Sequence, residues 1–380
     1  MKTIIRATTV SQSLSFFDGT MADLIKDYDV QLLSSPGEQL DLMGKKYGVK
    51  THPVEMYRRM SPFKDLKSLW QLIRVFRKEK ACMVHSMTPK AGLLCMMAAW
   101  LTRVPIRLHT FTGLVWPTEN GFRRKLLMFT DKITCACATH IIPEGEGVKN
   151  DLITGKITKK PLKVLGYGNV RGVDMDYYSR TEEVMQVADD IRDSQKFTFL
   201  FVGRIVRDKG INELVEAFVK LYSENPNCRL ILVGPYEDNL DPVSQETREA
   251  IAANPDIMAV GRESGVELLA YYAASDCFVM PSYREGFPNT VLEAGAMGLP
   301  SIVTDINGSR EIIVQGENGI IVPSQDAQAL LDAMSRMVRD TEQREHMAGN
   351  ARKMVADRFE QGFVRRCLYE FYEEILGMVK

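Results

Sequence analysis

Long apolar runs, a disulfide-like cysteine spacing and clustered histidines are all missing from this 380-residue chain. The longest uncharged stretch, Ala91–Thr102, is about a dozen residues, against the ~20 that a membrane-spanning helix requires, so no span is expected. The seven cysteines are odd in number and scattered, which excludes a disulfide framework and suits a reducing, cytoplasmic setting. Cys135-Ala-Cys137 lacks a second pair or a nearby histidine cluster, so it reads as packing rather than metal binding. The five histidines lie far apart without a His-Glu-x-x-His. No Gly-x-Gly-x-x-Gly opens a helix after the first strand of either half, which disfavours a nicotinamide dehydrogenase. Met1-Lys-Thr-Ile-Ile-Arg is too short an apolar run for a secretory signal, and no solenoid repeat is evident.

Net charge is also nearly absent, but the balance hides a division. Residues 1–170 hold 26 Lys and Arg against 14 Asp and Glu, or +12; residues 171–380 hold 22 against 35, or −13, and the halves sum to −1. A basic half joined to an acidic half suggests different partners for each, with the basic one facing anions.

What is present is an alternation of short apolar runs and helical patterns. Residues 3–8, 30–35, 82–87 and 106–111 read as strands, with helices over 61–80, 89–103 and 121–138 between them. The second half repeats the style at 197–202, 230–233, 257–260, 278–280, 301–303 and 319–322. Strands spaced by helices imply an α/β protein with parallel sheets covered on both faces, here two doubly wound, Rossmann-like domains. The expected division is 1–170, a polar linker over 171–195, 196–360, and a last helix at 361–380 packing back on the first domain.

The densest information lies in Glu285-Gly-Phe-Pro-Asn-Thr-Val-Leu-Glu293, where two carboxylates bracket seven residues. It follows an apolar strand and opens into a short helix, with Pro288 and Asn289 marking the helix start. A helix N-terminus offers amides and partial positive charge to phosphate. Two hydroxyl-seeking carboxylates beside one such helix end fit a sugar–diphosphate–nucleoside. Arg204 and Lys209 emerge from the turn that follows strand 197–202, where an α/β sheet also binds phosphate. Two cations there can stand in for a metal as charge grows on a departing diphosphate. No divalent ion or other cofactor is required.

Gly203-Arg-Ile-Val-Arg-Asp-Lys-Gly210 and Pro281-Ser-Tyr-Arg-Glu-Gly-Phe-Pro-Asn-Thr-Val-Leu-Glu-Ala294 together resemble the signatures of the GT4 family of retaining glycosyltransferases. The likeness spans nearly the whole chain and is strongest over 197–325. It implies the GT-B architecture, two Rossmann-like domains facing across a cleft, and a nucleotide-sugar donor, UDP-linked by expectation. By the same resemblance Arg204 and Lys209 hold the diphosphate, Glu285 the transferred sugar and Glu293 the ribose. The main chain around Gly286, Phe287, Pro288, Asn289 and Thr290 lines sugar and phosphate, and Gly234 and Arg262 lie near the base. Two departures stand out. The glycine pair of the first loop is reduced to Gly19, and the usual His-Gly is Thr112-Gly113, with His109 or His85 as substitutes. Asp174-Met-Asp176 resembles a metal-binding motif of another architecture but has no partner ligands, so a turn is expected.

Segment 61–80 places Phe63, Leu66, Leu69, Trp70, Ile73 and Phe76 on one stripe, expected to be mostly core. With Arg58, Arg59, Arg103, Arg107, Arg123, Arg124 and Lys125 nearby, peripheral attachment to an anionic membrane is expected, and nucleic acid is not. Residues 84–94 and 112–116 resemble enzymes of bacterial surface-polysaccharide assembly, which implies an undecaprenyl-diphosphate-linked glycan as acceptor. Two other readings stay open: a GT-B nucleotide-sugar epimerase and a non-catalytic sugar-binding protein.

Overall fold

The computed structural model describes residues 1–57, 61–239 and 241–378. The chain folds as two compact units, Met1–Gly172 with Gln361–Lys380, and Val173–Glu360. In the first unit the strands β1 (Thr3–Ala7), β2 (Asp29–Ser34), β3 (Thr51–Pro53), β4 (Met83–Met87), β5 (Ile106–Phe111) and β6 (His140–Pro143) form one sheet in the order β3-β2-β1-β4-β5-β6. Every pairing is parallel. The second unit repeats the pattern with β7 (Phe197–Val202), β8 (Cys228–Val233), β9 (Ile257–Gly261), β10 (Cys277–Met280), β11 (Ser301–Thr304) and β12 (Gly319–Val322), ordered β12-β11-β10-β7-β8-β9. Each sheet is therefore doubly wound, and its strand order reverses between β1 and β4 or between β7 and β10. Central strands such as β4 and β10 are buried throughout; β10 accordingly reads as an unbroken apolar run, while β4 carries His85 and Ser86 inward as well.

Helices expected at 61–80, 89–103 and 121–138 occupy Pro62–Glu79, Pro89–Leu101 and Gly121–Cys137. The middle one is apolar nearly all round because it packs between the other two and against the sheet. The stripe on the first departs from expectation. Ser68, Leu72 and Phe76 face inward, while Phe63 is 90% exposed, Leu66 65% and Trp70 56%. The helix turns its narrower Leu72–Phe76 edge to the sheet, leaving those three outside. Arg58 and Arg59 lie outside the described residues.

The helix Gln361–Gly377 completes the core of the first unit with Leu368, Phe371, Tyr372, Ile375 and Leu376. Tyr372 Oη bonds His85 Nδ1 on β4, and Tyr369 donates to Asp27 at 2.7 Å. Nearby, the buried Arg6 guanidinium stacks 3.9 Å from the Phe17 ring and donates to Thr20 Oγ1 at 2.6 Å. Within the segment expected as a linker, the helix Glu182–Ile191 is capped by Thr181 and buries Val184 and Ala188 in the second unit's core. Asp174 Oδ1 accepts the amides of Asp176 and Tyr177 at 3.1 and 3.0 Å, an Asx-type turn.

Candidate functional site

Strands β7 and β10 are neighbours whose onward connections leave in opposite directions, so a crevice opens at their carboxyl ends. Two loops meet there, Gly203–Gly210 after β7 and Pro281–Pro288 after β10. Gly210 makes their approach possible. Its φ of +71° suits glycine, and a side chain there would collide with the Pro281 carbonyl. The Tyr283 amide donates to Asp208 O at 3.0 Å, and the Asp208 carboxylate accepts from Arg284 at 2.8 Å.

On this joint the two charges singled out by sequence meet. Lys209 Nζ donates to the Glu285 carboxylate, with side chains 17% and 16% exposed. Arg204 stands further out at 48% exposure and donates to Glu237 at 2.6 Å. Both cations are thus held by carboxylates, and an anion would have to displace those partners. Glu237 had no motif to reveal it, since pairing with Arg204 depends on the loop after β8. The loop after β11 closes the far side. Gly308, at φ +73°, lies so near that a Cβ would come within 2.6 Å of Gly286 O and 2.7 Å of Phe287 Cα. Phe287 is buried against Phe359, ring centroids 5.4 Å apart, so the Gly286-Phe287-Pro288 main chain is clamped from both sides.

The helix that follows is Asn289–Ala296, and here the sequence reading needs correction. Pro288 is the N-cap and Asn289 the first helical residue, with no side-chain cap, because Pro288 supplies the extended residue at the boundary. Thr290 Oγ1 bonds Met280 Sδ at 3.2 Å. Glu293 sits one turn in at 7% exposure, and its Oε2 accepts from the buried Tyr272 hydroxyl at 3.1 Å. Burial, and then the Glu293 charge, push that phenol's pKa upward, so the hydroxyl remains a donor that orients the carboxylate. Gly234 packs its α-carbon on the Gly203 carbonyl and donates its amide to Gly261 O at 2.6 Å. Arg262 is exposed just beyond β9. The switch point thus gathers Arg204, Lys209, Glu285, Gly234 and the start of the helix bearing Glu293. It joins cationic groups, exposed main chain and carboxylates, a set suited to an anionic, hydroxyl-rich ligand.

In the first unit Gly19 requires a second correction. It lies inside the helix Ser15–Asp27, where a Cβ would meet Arg365 Nε at 2.9 Å, so it serves helix packing and its backbone is not open to a phosphate. The actual β1 loop, Thr8–Val10, is braced by the bond between Thr9 Oγ1 and Thr88 Oγ1 at 2.7 Å. Thr88 holds a φ of +72°, rare for a β-branched residue. Thr112 follows β5 and lines a small cavity with His109. Neither histidine is placed as a neutral-pH acid or base. His109 bonds Ser86 at 2.9 Å and burial lowers its pKa to about 3. His85 uses both ring nitrogens, on Tyr372 and on Thr110 at 2.8 Å, and burial, then Arg6, holds it well below the usual range. Among the described residues no helix is long and apolar enough to cross a membrane.

A family model described as "Glycosyl transferases group 1" matches residues 187–354, and one described as "Glycosyl transferase 4-like domain" matches 22–168. A capsular polysaccharide biosynthesis glycosyltransferase, CapM of Staphylococcus aureus, is 33% identical over 376 residues, 98% of this chain and 97% of that one. The UDP-Gal:alpha-D-GlcNAc-diphosphoundecaprenol alpha-1,3-galactosyltransferase of Escherichia coli is 27% identical, covering 85% and 86%. Among solved structures, HepE of Anabaena in complex with UDP superposes with a TM-score of 0.81 at 15% identity, covering 98% of this chain and all of that one. That likeness is one of fold, two Rossmann-like domains of the GT-B type.

Proposed function

This chain belongs to the group 1, GT4-like glycosyltransferases, and from that premise we propose that it moves a sugar from a UDP-linked donor to a lipid-diphosphate-linked glycan during surface-polysaccharide assembly, with retention at the anomeric carbon. The observation that carries the reading is the Lys209–Glu285 pair at the β7/β10 switch point, beside the start of the Glu293 helix. Donor binding would exchange partners: diphosphate takes Lys209 and Arg204, and Glu285 is released to the hydroxyls of the sugar. As the bond between the anomeric carbon and the phosphate oxygen breaks, its electron pair stays on that oxygen, where the two cations stabilise it. The acceptor hydroxyl then bonds to the same face of the anomeric carbon and gives its proton to the departing phosphate. Glu293, oriented by Tyr272, holds the ribose hydroxyls, and Gly234 and Arg262 border the base. This scheme uses no metal.

The choice of UDP and of a lipid carrier is supported by the E. coli relative, a UDP-Gal-dependent enzyme acting on a diphosphoundecaprenol-linked sugar, and by the Anabaena complex with UDP. It is also supported by three neighbouring helices of the first unit, Pro62–Glu79, Pro89–Leu101 and Gly121–Cys137. Phe63, Leu66, Trp70, Trp100, Leu101, Phe122 and Phe129 are exposed there among Lys64, Lys67, Arg74, Arg103, Arg123, Arg124 and Lys125. Exposed aromatics interleaved with cations suit the surface of an anionic bilayer, on the cytoplasmic side in this reading. Incubation with a panel of nucleotide sugars, with and without undecaprenyl-diphosphate-linked N-acetylglucosamine in phosphatidylglycerol vesicles, tests it. Acceptor-dependent UDP release with vesicle binding is expected. Efficient transfer to a small free sugar by a protein that ignores the vesicles would sink the lipid-linked assignment. Conversion of the donor sugar without any acceptor would favour an epimerase. Phe63→Ser with Trp70→Ser should weaken vesicle partitioning by about a hundredfold or more, since each ring is worth roughly 1.5–3 kcal/mol when buried.

A further inference from the structure

Behind the Thr112-Gly113 turn lies a narrow cavity of about 30 Å³, room for about two water-sized groups. Its polar lining comes from Thr88, His109, Thr110, Thr112, Thr130, Trp116 and Asp131. Four of these are already committed. Thr88 bonds Thr9, His109 bonds Ser86, Thr110 bonds His85, and Thr130 donates to Leu127 O at 2.8 Å. The Asp131 carboxyl and the Trp116 indole are less well provided for. Asp131, half-buried on the helix Gly121–Cys137, forms no ion pair among the described residues, and the polar group that acts on it is the Trp116 indole. Trp116 is 3% exposed and its Nε1 has no hydrogen-bond partner.

A buried indole N–H short of a full hydrogen bond, beside a half-buried carboxyl with no cation, is a standing cost to the fold, typically recovered where a ligand supplies the missing partner. Burial pushes the Asp131 carboxyl up to about 7, and the indole offsets that shift only in part, since it falls short of hydrogen-bonding geometry. The cavity also opens at the carboxyl end of β5, the edge on which α/β sheets carry their ligands.

We propose that Asp131 and Trp116 form a subsite for one hydroxyl-bearing arm of the acceptor sugar, Trp116 Nε1 donating to its oxygen and Asp131 exchanging a hydrogen bond with its hydroxyl. The size of the cavity admits a hydroxyl or hydroxymethyl group and excludes a sugar ring. Asp131 is thus a specificity residue for the acceptor, outside the group that handles the diphosphate. This assignment rests on the glycosyltransferase reading for the identity of its ligand.

The test uses saturation-transfer NMR with methyl glycosides of glucose, galactose and N-acetylglucosamine, which needs no donor turnover. Wild type is expected to give signal from at least one glycoside, and Asp131→Leu and Trp116→Phe to reduce it about tenfold or more. Asp131→Leu should also melt at or above the wild-type temperature, because it removes a carboxyl that burial disfavours and the indole only partly compensates. Calorimetric UDP affinity should be unchanged in both variants. No glycoside signal in wild type, or an undiminished signal in Asp131→Leu, overturns the subsite. So does a lower melting temperature in Asp131→Leu with glycoside binding intact, which would mark a structural carboxyl. Failure of wild type to bind UDP would instead refute the donor reading, and the glycoside measurements would still decide the subsite.

Discussion

Removing the Lys209 ammonium is the sharpest perturbation of the switch-point site. Its Nζ lies against the Glu285 carboxylate with both side chains under one-fifth exposed, so the effective dielectric is well below that of water. At a separation near 4 Å and a dielectric of about 20, a unit charge pair is worth roughly 4 kcal/mol. The transition state of donor cleavage places more charge on the diphosphate than the ground state does, so part of that energy appears in the rate. At about 1.4 kcal/mol per decade, Lys209→Ala should lower kcat/KM for UDP release by about a hundredfold to a thousandfold. Stability should fall by only about 1–2 kcal/mol, since Glu285 retains some access to water. Lys209→Ala with Glu285→Ala should recover that stability and none of the activity, because the vacant carboxylate goes with the ammonium. Kinetics of UDP release and thermal melts on wild type and these two variants measure both quantities. Activity of Lys209→Ala within tenfold of wild type, in a folded protein, would refute the placement of the diphosphate.

Other consequences are smaller and separable. Glu237→Gln frees Arg204 from an exposed ion pair worth up to about 1 kcal/mol, so UDP should bind up to about fivefold more tightly by calorimetry; weaker binding would show that Glu237 belongs to the ligand site. Gly210→Ala must hold a left-handed conformation costing about 1–2 kcal/mol and push back the Pro281 carbonyl, so both melting temperature and UDP affinity should drop; an unchanged affinity would separate the loop joint from the site. Stability in acid carries two opposed contributions. His109 has a folded pKa of about 3 against about 6.5 unfolded, so its contribution is lost as pH falls through that interval. Asp131 is raised to about 7, so its contribution is lost as pH climbs from about 4 toward 7. Asp131→Leu should therefore lose stability more steeply than wild type on acidification from pH 6.5 to 4, and parallel melting curves would contradict this.

The sheets were legible in sequence wherever a strand is buried on both faces, as β1, β2, β4, β5, β7, β8, β10, β11 and β12 show, while β9, with Met258 and Ala259 exposed, was legible from its apolar composition alone. The two strands without a readable signal, Thr51–Pro53 and His140–Pro143, are short edges that need little apolar content because a neighbour pairs only one side. Gly19 and Asn289 were misplaced by residue type alone. A glycine after a first strand suggests a loop, yet here it admits Arg365 beside a helix, and an asparagine near a helix start suggests a cap although Pro288 already fills that position. The helical period of residues 62–79 was right, but period does not say which edge of a broad stripe faces the sheet, and Phe63, Leu66 and Trp70 fell outside. Arg204, Lys209, Glu285 and Glu293 stood out because their spacing follows two strand-to-helix turns. Their partners Glu237 and Tyr272 come from the loop after β8 and from the helix Gly265–Ala273, contacts only the folded chain creates. Asp131 had a signal that went unread: one acid within the otherwise apolar and basic run of residues 121–137.

The helix Gln361–Gly377 bears on how the protein is made. Arg6, His85 and the surrounding core of the first unit stay uncovered until Tyr372 arrives, and the 188 residues Val173–Glu360 are synthesised in between. At about 5–20 residues per second, translation leaves that surface waiting for roughly 10–40 s. The intervening unit, contiguous in sequence, can close first, and nascent-chain quality control would meet an unfinished amino-terminal half on every molecule produced.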